Sequence, residues 1–170
     1  EAGLVVELGR LALTKAVRTA ELLRCSLDVP GFFVSVNLSP REILEDDLVD
    51  FVDELARSTG VPAGSLVLEM TESLMLSDPE LAIERLHRLR TLGFKVALDD
   101  FGTGQSSLTY LKRFPISTVK IDRSFVSGPT RTAVADPPIV EAILHLAASL
   151  KLRTVAEGIE TAEQWDFIAS

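Results

Sequence analysis

The sequence predicts an α/β protein built on parallel strands: a (β/α)8 TIM-like barrel, here an incomplete one of about five βα units, in 170 residues. Three observations predict it. Short apolar runs alternate with longer amphipathic stretches along the whole chain, the pattern of parallel strands joined by right-handed helical crossovers. The strand tips Asn37, Glu69, Asp99, Lys120 and Glu157 fall 21 to 37 residues apart, a spacing suited to the βα unit. All five tips are polar or charged, and both barrels and doubly wound sheets gather their sites at the carboxyl ends of strands. No glycine-rich phosphate loop follows the first strand, which favours the barrel.

Each element has a local reason. Leu4 to Leu23 sets Leu8, Leu11, Val17 and Leu22 among charged residues and reads as an amphipathic helix ending before Pro30-Gly31. Phe32 to Asn37 is a strand by composition, stopped at Asn37-Leu38-Ser39-Pro40. Asp46 or Asp47 opens a helix through Leu48, Phe51, Val52, Leu55 and Ala56, closed by Gly60. Leu66 to Met70 is the next strand. Asp78-Pro79-Glu80 is a helix start with proline at the first helical position, and that helix runs to Gly93. A strand from Lys95 follows, then a short helix from Ser106 to Arg113 ended by Pro115, and a strand from Thr118 to Ile121. Ser124 to Pro138 reads as a long loop, a length usually kept for function. Ile139 to Leu150 is helical, Arg153 to Ala156 is a strand, and Thr161 with Glu163-Gln164 starts a last helix. The strands are expected to lack a polar alternate face, because both faces of a parallel sheet are normally covered.

Composition narrows the function classes. With 46% hydrophobic residues the chain builds one sizeable core and is read as a single domain or part of one. The lone Cys25 offers neither a disulfide framework nor a zinc knot, and a reducing cytoplasm fits. No apolar run reaches membrane-spanning length and no signal peptide is visible, so no membrane contact is expected of this segment. A net charge of −8 has the wrong sign for gripping a nucleic-acid polymer. If the ligand is a phosphate ester, metal ions must supply the positive charge.

The chemistry concentrates at Asp99-Asp100-Phe101-Gly102. Successive strand side chains point to opposite faces, so one rotation of the strand cannot turn both carboxylates to water, and one must face an interior or a rim. Desolvating an unpaired carboxylate is costly, which calls for a cation nearby. A helix N-cap would account for one of the two aspartates, since one cap needs one acceptor. Asn37, Glu69, Asp99, Asp100 and Glu157 are oxygen donors arriving from separate strands at one rim, the requirement of a hard divalent cation. Lys120 and Asp122 add a positive donor and a further acceptor there. Adjacent carboxylates that can bridge suit a two-metal site and phosphoester hydrolysis. His87 and His145, both within helices, are read as surface or packing residues, and Trp165 and Cys25 as packing residues. Asp100-Phe101-Gly102 matches the kinase metal-binding triplet, but no other kinase element accompanies it.

Ser35-Val36-Asn37-Leu38-Ser39, Leu68-Glu69-Met70-Thr71-Glu72, Asp99-Asp100-Phe101-Gly102-Thr103-Gly104 with Ser106-Ser107-Leu108, Val119-Lys120-Ile121-Asp122-Arg123-Ser124-Phe125-Val126, and Val155-Ala156-Glu157-Gly158-Ile159-Glu160 together resemble the EAL-domain phosphodiesterases that linearise cyclic di-GMP. The resemblance covers nearly the whole chain in order. It implies a (β/α)8-like barrel, two Mg2+ or Mn2+ ions, and hydrolysis of one phosphodiester of cyclic di-GMP to pGpG. It implies that Asn37, Glu69, Asp99 and Asp100 hold metal, that Glu157 ligates the second metal or acts as base, and that Lys120 orients the attacking water or the phosphate. Glu72 would brace the loop after Asp100, and Asp122 and Glu160 would support the metal site. It also implies a homodimer fused to sensory or other signalling domains.

Three departures from the family pattern bear on this. The family's Glu-Ala-Leu triplet belongs on a strand before the first helix, and Glu1-Ala2-Gly3-Leu4 does not correspond to it. The last strands, one with a Gln-Gly motif, are not in these residues, so residues 1–170 are expected to be part of a larger barrel and poorly active alone. Gln105 stands where the family often has an aromatic residue. The alternatives are a catalytically inactive EAL-like module that binds cyclic di-GMP or a protein partner, and a metal-dependent barrel lyase or isomerase with Lys120 as base.

Overall fold

The structure, a computed structural model, describes residues 2–26, 29, 31–73, 78–103, 108–127 and 136–169. Its elements run α1 (Ala2–Ser26), β1 (Val34–Asn37), α2 (Pro40–Ile43), α3 (Leu48–Thr59), β2 (Leu66–Thr71), α4 (Pro79–Thr91), β3 (Lys95–Phe101), α5 (Leu108–Arg113), β4 (Thr118–Ile121), α6 (Arg123–Val126), α7 (Pro137–Ser149), β5 (Arg153–Ala156) and α8 (Ala162–Ala169). All strand pairs are parallel, and the order β1-β2-β3-β4-β5 is sequential. A doubly wound sheet reverses its order at a switch point. Strict sequence order is instead the progression of a barrel wall, always wound in one direction.

Alternation along each strand separates two faces. Leu66, Leu68, Met70, Val96, Leu98, Val119 and Ile121 are buried toward the helices. Leu13, Val17 and Ala20 of α1, Val49 and Val52 of α3, Leu86 and Leu89 of α4, and Val140 and Ile143 of α7 meet them in one continuous core. Each fully buried aliphatic side chain contributes about 1.5–3 kcal/mol. The opposite face carries Ser35, Val67, Glu69, Ala97, Thr118, Lys120 and Val155 around a cavity of about 370 Å3. The expected lack of a polar alternate face holds at buried Val67 and Ala97, while Glu69 and Lys120 make the lumen side polar toward the carboxyl ends of the strands.

Most starts and stops follow the sequence signals. Asp78 Oδ1 accepts from the Leu81 N–H at 3.2 Å with Pro79 at the first helical turn, and Gly60 closes α3 in the left-handed conformation. Asp47 is the N-terminal flanking residue of α3 without a side-chain cap, because its carboxylate pairs with Arg10 of α1 instead.

Four readings are corrected. In α1 the buried stripe is Leu13, Val17 and Ala20, while Leu8, Leu11 and Leu22 are exposed. The Asn37–Pro40 stop hides α2, which Ser39 and Glu42 start with a reciprocal capping box. The Ser124–Pro138 loop contains α6, with residues 128–135 outside the described part. Trp165 is 61% exposed and Cys25 is exposed, so neither packs, whereas His87 and His145 lie on helix surfaces as expected.

Candidate active site at the carboxyl ends of the strands

Register brings the strand tips to one level. Asn37 pairs with Glu69 and Thr71 with Asp99, while Lys120 pairs with Val155 and the Glu157 N–H donates to Ile121 O at 3.1 Å. On the lumen face the outcome is a charge cluster. Lys120 Nζ lies 2.9 Å from Glu69 Oε2, 2.9 Å from Asp99 Oδ1 and 2.7 Å from Glu157 Oε1. One ammonium from β4 is therefore shared by carboxylates on or just beyond β2, β3 and β5.

Asp99 and Asp100 share the rim through a break in alternation. Leu98 pairs with Val119 but Phe101 pairs with Ile121, so β3 accommodates one extra residue, a β-bulge. Asp100 takes φ 53°, in the left-handed region, and its N–H donates to Asp99 Oδ1 at 3.0 Å. Left-handed backbone is tolerated by aspartate better than by most residues but still costs energy. The bulge returns Phe101 to the helix side beside Ile143 and Val119. Carboxylate oxygens of Asp99, Asp100 and Glu157 lie within 4.8 Å of one another. The expectation that one aspartate faces an interior or a rim is met at the rim, and the bulge lets both carboxylates reach it.

The electrostatics follow from that crowding. Burial, then repulsion from Asp99, Asp122 and Glu157, raises the Asp100 carboxyl above the ordinary range. Burial alone would lower the Lys120 ammonium, but hydrogen bonds to Glu157, Glu69 and Asp99 outweigh it and hold the group well above the usual lysine range. Asp122 flanks the start of α6, and Ser124, whose N–H donates at 2.9 Å, holds its carboxyl below the ordinary range.

The remaining predicted residues surround this cluster. Asn37 is exposed on the lumen face of β1, beside Glu69 in register. Buried Glu72 accepts the Gly102 N–H at 2.7 Å through Oε1, and its Oε2 has no partner among the described residues. The Glu160 N–H donates to Oε1 of buried Gln164 at 2.6 Å, so Glu160 is fixed by its backbone at the start of α8. Gln105 lies outside the described residues. The helix start expected at Thr161 with Gln164 is present as a capping box, and Gln164 also ties the Glu160 N–H, which the sequence reading did not foresee.

Among the described residues the donor set consists of oxygens, and four carboxylates gather around the Lys120 ammonium. That chemistry fits a hard divalent cation better than a soft one.

The fold and this rim define a βα-barrel protein with an oxygen-lined site at the carboxyl ends of its strands. The EAL domain model matches residues 1–170, and the chain belongs to the EAL-domain family. It is 38% identical over 168 residues to the bifunctional diguanylate cyclase/cyclic di-GMP phosphodiesterase MucR of Pseudomonas aeruginosa, a match covering 98% of this chain and 24% of MucR. It is 34% identical over 168 residues to the cyclic di-GMP phosphodiesterase PdeR of Escherichia coli, covering 99% of this chain and 25% of PdeR. Among solved structures, the EAL domain of Mycobacterium smegmatis DcpA superposes with a TM-score of 0.89 at 38% identity, over 99% of this chain and 74% of that one. The MucR phosphodiesterase in complex with c-di-GMP superposes with a TM-score of 0.86 at 37% identity, over 98% and 72%. The fold is that of these (β/α)8 barrels. The chain spans about a quarter of the length of MucR and PdeR. Among the described residues no helix is long and apolar enough to cross a membrane.

Proposed function

We propose that this chain is the catalytic part of a cytoplasmic phosphodiesterase that hydrolyses cyclic di-GMP to linear pGpG with Mg2+ or Mn2+. The observation that carries the reading is the convergence of Asp99, Asp100 and Glu157, with Glu69 joined to them through Lys120. Membership of a family whose relatives include named cyclic di-GMP phosphodiesterases supports the substrate.

In this reading Asn37, Glu69, Asp99, Asp100 and Glu157 hold two divalent ions. Such ions, when bound, neutralise phosphodiester charge and make water a better nucleophile. Glu157, 36% exposed at the rim, accepts the proton of the attacking water. The water oxygen bonds to phosphorus as the P–O3′ bond breaks, and the freed 3′ oxygen takes up the proton that Glu157 accepted. Lys120 stays charged and donates hydrogen bonds that orient the water or a phosphate oxygen. A charged Lys120 has no free lone pair, which disfavours the lyase or isomerase alternative in which it is the base. Glu72 steadies the backbone after Asp100 through Gly102, while Asp122 and Glu160 keep the β4 and β5 loops in place. Activity belongs to the full-length protein, as a homodimer joined to signalling domains.

The test is to incubate the full-length protein with cyclic di-GMP in Mg2+, Mn2+ or Ca2+ and to follow pGpG by chromatography. Formation of pGpG in Mg2+ or Mn2+ that EDTA stops and Asp99→Asn lowers at least about 100-fold is expected. Retained cyclic di-GMP binding with no product in any metal would replace this reading with that of a non-catalytic binding module.

A further inference from the structure

Two glycines next to the acidic cluster are pressed against the same short helix. Gly102, two residues beyond Asp100, has φ 98°, and a methyl group added there would stand 2.9 Å from Phe125 Cε2. Gly158, directly after Glu157, has φ 71°, and a methyl group there would stand 2.6 Å from Arg123 Cβ and 3.2 Å from Ser127 Oγ. The Ser127 hydroxyl also donates to Gly158 O at 2.8 Å. Arg123 and Phe125 lie within α6, and Ser127 is its C-terminal flanking residue.

The turn is itself fixed at both ends. Asp122 accepts the Ser124 N–H at 2.9 Å, and the Ser127 N–H donates to Arg123 O at 2.7 Å. The Phe125 carbonyl accepts the Asp136 N–H at 3.3 Å, which ties α6 to the start of α7. Both loops thus rest on the same short helix, at contacts too close to admit a side chain. Moving α6 would move Asp100 and Glu157 relative to each other.

We infer that α6 is a spacer setting the separation between the Asp99-Asp100 pair and Glu157, with Phe125 and Ser127 as positioning residues for the cation site. The inference rests on the metal-binding reading of those carboxylates. Outer partners that orient ligands typically change metal affinity 10- to 100-fold when removed. Ser127 holds the loop bearing Glu157 through one hydrogen bond, and Phe125 supports the loop bearing Asp100 through its ring.

The experiment is a calorimetric titration of the full-length protein with Mn2+, without substrate, for the parent, Asp99→Asn, Ser127→Ala, Ser127→Thr, Phe125→Leu and Leu86→Val. Leu86 is a fully buried core residue of α4, so its variant controls for lost stability. Ser127→Ala and Phe125→Leu are expected to weaken Mn2+ binding about tenfold, Ser127→Thr to recover most of the loss, and Leu86→Val to bind like the parent. Parent-like binding by both Ser127→Ala and Phe125→Leu overturns the spacer alone, as does equal weakening in Leu86→Val. Mn2+ binding that is absent in the parent, or unchanged by Asp99→Asn, overturns the metal reading and the spacer with it.

Discussion

Lys120 is the positive charge at the centre of the acidic rim. Its ammonium is shared by three carboxylates, and breaking a largely buried pair by removing one partner costs about 3 kcal/mol or more, less here because Glu157 at 36% exposed is screened by water. Lys120→Met is therefore expected to lower the melting temperature in EDTA by several degrees, with Mg2+ restoring part of it, and to reduce cyclic di-GMP turnover about 100-fold. Thermal melts with and without Mg2+, beside the pGpG assay, check both. Asp100 has the opposite sign. Its carboxyl is raised by burial and by Asp99, Asp122 and Glu157, so the folded state holds its proton more tightly than the unfolded chain. Whatever stability that proton contributes is complete below the ordinary carboxylate value of 3.8 and is lost as pH rises through the raised value. Asp100→Asn, which also tolerates left-handed backbone, is expected to raise stability at neutral pH in EDTA by about 1 kcal/mol and to weaken Mn2+ binding. A parent-like pH dependence of the variant's melting temperature would contradict this. The aspartate pair was legible as a site from its residue types alone. Its geometry was not, because a bulge depends on pairing with β4, and strict alternation has no place for an extra residue.

Elements with long periodic patterns or strong caps were legible, as α4 and α7 are. The four-residue helices α2 and α6 were not, since they are too short for periodicity and show only in their capping residues: Ser39 with Glu42, and Asp122. Both matter to packing. Arg85 of α4 is buried, donates from Nη1 to Ile43 O at 2.7 Å at the end of α2, and pairs with Asp46 at 2.5 Å. Arg85→Met removes the donor and leaves that carbonyl unpaired beside the core. A loss of about 1–3 kcal/mol in urea unfolding is expected, with Mn2+ affinity unchanged because Arg85 packs on the helix side of the sheet. A stability change under 0.5 kcal/mol would show that water replaces the contact. The apolar stripe of α1 was misplaced for a related reason. Leu8, Leu11 and Leu22 look like core residues, but the burying surface of β1 and α3 selects Leu13, Val17 and Ala20.

At the scale of the whole molecule, the sequential parallel order makes the site possible, because it lines up the carboxyl ends of all five strands. That order was legible from the alternation of strand and helix and from the missing phosphate loop. In the described sheet β1 and β5 are the edges, with Phe33 and Val155 exposed to about half beside the lumen. Unpaired edges and half-covered apolar residues are costly. Residues 1–170 expressed alone are thus expected to turn over cyclic di-GMP at under about one tenth of the full-length rate, and equal rates would show that these residues suffice. The most direct measurement of the central claim is anomalous diffraction at the manganese edge from crystals of the full-length protein soaked in Mn2+. Peaks enclosed by the carboxylates of Glu69, Asp99, Asp100 and Glu157 are expected. No peak among them, with Lys120 still holding all three partners at saturating Mn2+, would contradict it.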